Sequence, residues 1–150
     1  MRAILVLMML ALPAMPAQAQ SPRVLTDIAP VQSLVAQVMQ GAGTPDLLLS
    51  GDDDPHHMAL RPSQARAVAR ADLVIWIGPA LTPWLTPVLA QRSGPNMALT
   101  PDLVEGVDDP HLWLDPATAL RWLPVIAETL AASDPDNAAL YHRNAATAAA

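Results

Sequence analysis

Apolar residues along this chain fall into short continuous runs alternating with stretches in which apolar positions recur three and four residues apart. The runs are Val24-Leu25 within Arg23 to Asp27, Leu47-Leu48-Leu49, Leu73-Val74-Ile75-Trp76-Ile77 ending at Gly78, and Met97-Ala98-Leu99. All four read as strands, Leu47 to Leu49 and Leu73 to Ile77 as strands buried on both faces. Between them, Val31, Leu34, Val35 and Val38 share one helical face in a segment opened by Pro30 and closed by Gly41. A second helix is predicted from Pro62-Ser63 to Ala71, with Ser63 as its cap. A third, over Pro79 to Gln91, carries Leu81, Trp84, Leu85, Val88 and Leu89 on one side, although Pro83 and Pro87 interrupt it. After Asp115, a cap residue placed before Pro116, the positions Leu120, Leu123, Ile126, Ala127 and Leu130 predict a helix that Pro124 bends or disrupts. Asp134-Pro135 repeats the start signal, and 137–150 is Ala-rich and helix-prone, ending without a cap residue.

Strand, helix and strand in regular succession predict an α/β fold, with a parallel sheet carrying helices on both faces. In such sheets ligands collect where strands end. Two loops meet that description: 50–57, after the second run, and 102–111, after the fourth.

The first residues alter the domain count. Met1-Arg2, an apolar stretch from Ala3 to Leu12, two prolines and Ala17-Gln18-Ala19 form a secretory signal peptide over 1–19. The stretch is too short and too broken by proline to span a bilayer, so no stable membrane insertion is expected after cleavage. The segment 20–134 is long enough for one lobe with a core, and the chain then stops in a helix as though cut. A formal net charge of −6, made one more negative by loss of Arg2, excludes nucleic acid as a partner. With no cysteine there is neither a disulfide nor a lipid-attachment thiol, and metal chemistry falls to His, Asp and Glu. These features fit a free protein of the bacterial periplasm.

Three of the four histidines lie in the two strand-end loops, within Pro55-His56-His57-Met58-Ala59-Leu60-Arg61-Pro62-Ser63 and Asp109-Pro110-His111-Leu112-Trp113-Leu114-Asp115-Pro116. His56 and His111 are the candidate pair of metal ligands, since imidazole is zinc's common neutral ligand where thiolates are absent. His57 is the rival to His56, but neighbours in an extended loop point to opposite sides. His142 reads as a solvated surface histidine and Met58 as loop packing. Asp52, Asp53 and Asp54 either supply a carboxylate or form a solvated acidic loop. A plain alternative makes His111 a residue that merely precedes a helix. Another class of function, a zinc hydrolase with a loop carboxylate activating water, lacks any helix-borne metal-protease motif or nucleophile elbow.

Together with Ala71-Asp72-Leu73-Val74-Ile75-Trp76-Ile77-Gly78, Trp84-Leu85, and Asp134-Pro135-Asp136-Asn137-Ala138 with Tyr141 and Asn144-Ala145, these segments resemble the zinc-binding solute-binding proteins of ABC transporters, the ZnuA-like group. The resemblance implies a periplasmic receptor, not an enzyme, with two α/β lobes joined by a long helix. It implies one zinc ion in the cleft, with manganese the alternative, and delivery to an inner-membrane ABC permease. His56 and His111 would be the ligands from the first lobe. Further ligands would come from a second lobe, which the chain lacks, and 135–150 would begin the linking helix. The long histidine-rich loop of many zinc members is reduced here to Leu103 to Asp109.

Overall fold

The computed structural model describes residues 21–150, so the signal peptide read over 1–19 lies outside the described residues. Four strands form one parallel sheet in the order β2-β1-β3-β4: β1 (Val24–Thr26), β2 (Asp46–Leu47), β3 (Leu73–Trp76) and β4 (Asn96–Ala98). Five α-helices connect and cover them: α1 (Ala29–Val38), α2 (Pro62–Arg70), α3 (Thr86–Ala90), α4 (Pro116–Ser133) and α5 (Ala138–Ala148). The order explains the layering. From β1 the chain steps one way through α1 to β2, then returns past β1 through α2 to β3 and on through α3 to β4. Right-handed crossovers then place α1 on one face and α2 with α3 on the other. The helices α4 and α5 pack on each other and on α1.

Burial follows the predicted faces except at Leu120, which the spacing places on the inner face of α4 and which is exposed, the buried stripe there running instead through Thr118 and Trp122. The α1 side chains Val31, Val35 and Val38 are fully buried, each such burial stabilising by about 1.5–3 kcal/mol. All four β3 residues are buried, as expected for an inner strand. Leu48 and Leu49 are buried as well, but β2 is a two-residue edge strand, and pairing continues only through Leu48 N–H to Thr26 O and Leu49 N–H to Asp27 O.

Three local expectations are corrected. Ser63 is not the cap of α2: Arg61 holds the cap position, and Gln64 reaches back to it, its Oε1 accepting from Arg61 N–H at 2.9 Å while its amide donates to Leu48 O at 3.0 Å. The stretch 79–91 is not one helix but a 3-10 turn (Pro83–Leu85) followed by the short α3, because each proline lacks the N–H a continuous helix requires. Pro124, conversely, does not break α4, which runs unbroken from Asp115, whose carboxylate accepts from Ala117 and Thr118 N–H. Pro124 sits on the exposed side, where water can satisfy the carbonyl it leaves free.

The chain leaves β3 through Gly78, at φ +141, and a Cβ there would stand 2.8 Å from the Thr100 carbonyl oxygen. Both backbone conformation and space demand glycine. Gly78→Ala is expected to destabilise the fold by about 1–3 kcal/mol, read as a lower urea midpoint; an unchanged midpoint would show that the β3 and β4 exits can separate without loss.

Candidate metal centre

The loops after β2, β3 and β4 all emerge at the carboxyl edge of the sheet, and they meet. In the first, Ser50 N–H and Oγ donate to Asp53 Oδ2 at 2.9 and 2.8 Å, and Arg61 pairs with Asp53 Oδ1 at 2.8 Å. These contacts, the Ser50 hydroxyl first, hold the Asp53 carboxyl below its ordinary range. Asp54 Oδ1 accepts from His56 N–H at 2.9 Å, the largest cause of that carboxyl's lowered pKa. From the loop after β3, the Trp84 indole N–H donates to the Pro55 carbonyl at 2.8 Å, tying down the residue immediately before His56.

The second histidine loop has the same construction. Asp109 Oδ1 accepts from His111 N–H at 3.0 Å and lies 2.7 Å from His111 Nδ1. The backbone contact first and the ring second hold the Asp109 carboxyl low. Trp113 packs against the His111 ring, with centroids 5.1 Å apart and the planes near an edge-on arrangement. Leu112 to Leu114 form a 3-10 turn that delivers Asp115 as the cap of α4.

The two rings converge. His56 Nε2 lies 3.4 Å from His111 Nε2, although the residues are 55 apart in sequence. Two imidazole nitrogens bound to zinc at about 2.0–2.1 Å with a tetrahedral angle between them stand roughly 3.3 Å apart. The observed separation is that of two adjacent corners of a zinc tetrahedron. His57, by contrast, points into solvent with its side chain 87% exposed, near Asp54 Oδ2 at 3.4 Å. His142 is exposed on α5, and Met58 is half-buried against the core. Of the acidic loop, Asp53 and Asp54 are engaged in turn structure, and Asp52 is exposed.

A cavity of about 310 Å³ opens beside His56 and is lined in part by His57, Glu105 and Asp108. Larger clefts of about 450 and 560 Å³ flank α2 and contain no histidine. Among the described residues no group of three or more His, Cys, Asp or Glu side chains is placed to hold an ion. The arrangement is thus a nitrogen pair, able to supply half a tetrahedral shell.

Sequence reasoning singles out His56 and His111 but misses their supports, Trp84 and Asp109. One signal is present: the tripeptide Asp-Pro-His occurs twice, at 54–56 and 109–111.

Residues 24–150 match the family described as ZnuA, zinc-uptake complex component A, periplasmic. The chain is 37% identical to the high-affinity zinc uptake system protein ZnuA of Paracoccus denitrificans, over 91% of this chain and 55% of that protein. It is 29% identical to the manganese-binding lipoprotein MntA of Halalkalibacterium halodurans, over 62% of this chain and 33% of that one. The Zn(II)-bound ZnuA-like domain of Streptococcus pneumoniae AdcA shares the fold, with a TM-score of 0.77 at 23% identity, covering 86% of this chain and 51% of that one. The chain spans about half the length of the ZnuA relatives named for Paracoccus and Brucella. Among the described residues no helix is long and apolar enough to cross a membrane.

Proposed function

We propose that this chain, which belongs to the ZnuA family of periplasmic zinc-uptake components, provides the first-lobe half of the zinc site of a receptor serving an ABC-type uptake transporter. His56 and His111 are its ligands, and zinc is the cargo. The observation that carries this reading is the 3.4 Å separation of the two Nε2 atoms. The family is a class of metal-binding receptors rather than enzymes. In this reading 1–19 is the signal peptide, 20–134 the first lobe and 135–150 the start of the linking helix, with the remaining ligands coming from a second lobe. The loaded receptor would dock on an inner-membrane permease.

A two-nitrogen donor set favours zinc over manganese, because manganese prefers carboxylate and other oxygen ligands. The name of the MntA relative keeps manganese as the competing cargo. The test is a titration of the chain against a competing chelator with each metal in turn. Zinc is expected to bind one-to-one and well ahead of manganese. Its affinity should fall between about pH 8 and about pH 5.5, because protons compete for imidazole nitrogens. Equal or tighter manganese binding would overturn the choice of cargo, and zinc affinity independent of pH would overturn histidine ligation.

A further inference from the structure

The two Asp-Pro-His loops agree in their backbone and differ in their rings. In both, an aspartate oxygen accepts from the histidine N–H two residues on, at 2.9 Å for Asp54 and 3.0 Å for Asp109. Asp109 then turns the same oxygen to the ring of its own histidine, 2.7 Å from His111 Nδ1. Asp54 instead places its second oxygen 3.4 Å from the ring of the next residue, His57. Among the described residues no protein group is hydrogen-bonded to His56 Nδ1, and His56 is held through its backbone, by Asp54 on its N–H and by Trp84 on the preceding carbonyl.

An ionised carboxylate can only accept, so the short contact requires a proton on His111 Nδ1. A neutral imidazole carries one N–H, which leaves the lone pair on Nε2, the atom facing His56. We propose that Asp109 is a positioning residue that sets His111 in the Nδ1–H tautomer before metal arrives, making His111 the preorganised ligand of the pair and His56 the adaptable one. This rests on the reading that the two rings hold the cargo. Across the 3.4 Å gap two facing lone pairs would repel, so in the metal-free chain the Nε2 proton belongs to His56. Zinc binding then requires that proton to leave His56 Nε2 and one to be taken up at Nδ1 of the same ring from solvent water. No net proton is gained or lost, and among the described residues no hydrogen-bond partner has to leave Nδ1. A carboxylate orienting a metal-binding histidine from behind also strengthens it as a donor, and loss of such partners elsewhere lowers metal affinity about 10–100-fold.

The experiment is nitrogen-15 NMR of the imidazoles in the metal-free chain, at a pH where both rings are neutral, beside zinc competition titrations of the same samples. The wild type, Asp109→Ala and Asp109→Asn are compared. His111 is expected as the Nδ1–H tautomer in the wild type, shifting toward Nε2–H in Asp109→Ala, with zinc affinity about 10–100-fold lower. Asp109→Asn should keep the tautomer, because its amide oxygen still accepts, and should recover most of the affinity. An Nε2–H tautomer for His111 in the wild type would overturn the proposal. So would weaker zinc binding by Asp109→Ala with the tautomer unchanged, since the aspartate would then act only on loop structure. The expected tautomers together with no zinc binding by the wild type would leave Asp109 in its role and discard the functional reading instead.

Discussion

Alanine at either His56 or His111 is expected to remove measurable one-to-one zinc binding by this chain, while alanine at His57 or His142 leaves it unchanged. The size of the effect is set by the number of ligands. A complete zinc site holds four donors and can retain some affinity on three, whereas a chain contributing two falls to one. The loss should therefore exceed the roughly 10–100-fold range seen when only an orienting partner is removed. No substitute stands ready, since among the described residues no third metal-ligating side chain joins the pair. His57 is the informative control: it adjoins His56 in sequence, but its ring is 87% exposed and turned toward Asp54. A double variant lacking both ligand histidines should bind no more weakly than either single variant, the strong non-additivity of residues that act as one unit. Equal losses in His56→Ala and His57→Ala would mean that the loop rearranges around metal and that the 3.4 Å pair is not the site.

That pair is only partly legible in the sequence. Strand-end position and imidazole chemistry mark His56 and His111 as candidates, because runs such as Leu73 to Ile77 place the sheet's carboxyl edge without any structure. Convergence is another matter: it depends on strand order, and no spacing of 55 residues encodes a 3.4 Å contact. The faces of the helices are more legible than their backbones. Leu81, Leu85 and Leu89 are all buried as their four-residue spacing requires, yet Pro83 and Pro87 divide the backbone into a 3-10 turn and a single short helix. Packing tolerates the break because a 3-10 turn still carries successive apolar side chains to the same side. Trp84 shows the opposite limit. Its spacing announces an apolar face, and nothing local reveals that its N–H reaches Pro55, 29 residues back.

Asp27 reads in the sequence only as the end of a strand, yet it supports the largest predicted effect on stability. It is fully buried where the exits of β1, β2 and β3 meet, at the point where the chain's crossovers reverse direction. One carboxylate oxygen accepts from Ile28 N–H at 2.9 Å and the other from Ile77 N–H at 3.0 Å, and its own carbonyl accepts from Leu49. Burial pushes the carboxyl from 3.8 up to about 6, and the two N–H groups only partly offset it. A folded pKa above the unfolded one means that Asp27's contribution is complete below about pH 4 and declines as the pH rises through about 6, by roughly 3 kcal/mol. Asp27→Asn does not titrate, and its amide can accept only one of the two N–H bonds, leaving the other donor buried at a cost of about 1–3 kcal/mol. Urea unfolding across this range should therefore find Asp27→Asn less stable than the wild type near pH 4, with the gap closing or reversing above pH 6. Asp27→Ala leaves both donors unpaired and a cavity besides, so it should be destabilised throughout, by about 3–5 kcal/mol. A gap for Asp27→Asn that widened with pH would mean that the strand-end N–H groups outweigh burial. The carboxylate would then be the stabilising form, clamping β1 to β3 beneath the histidine loops.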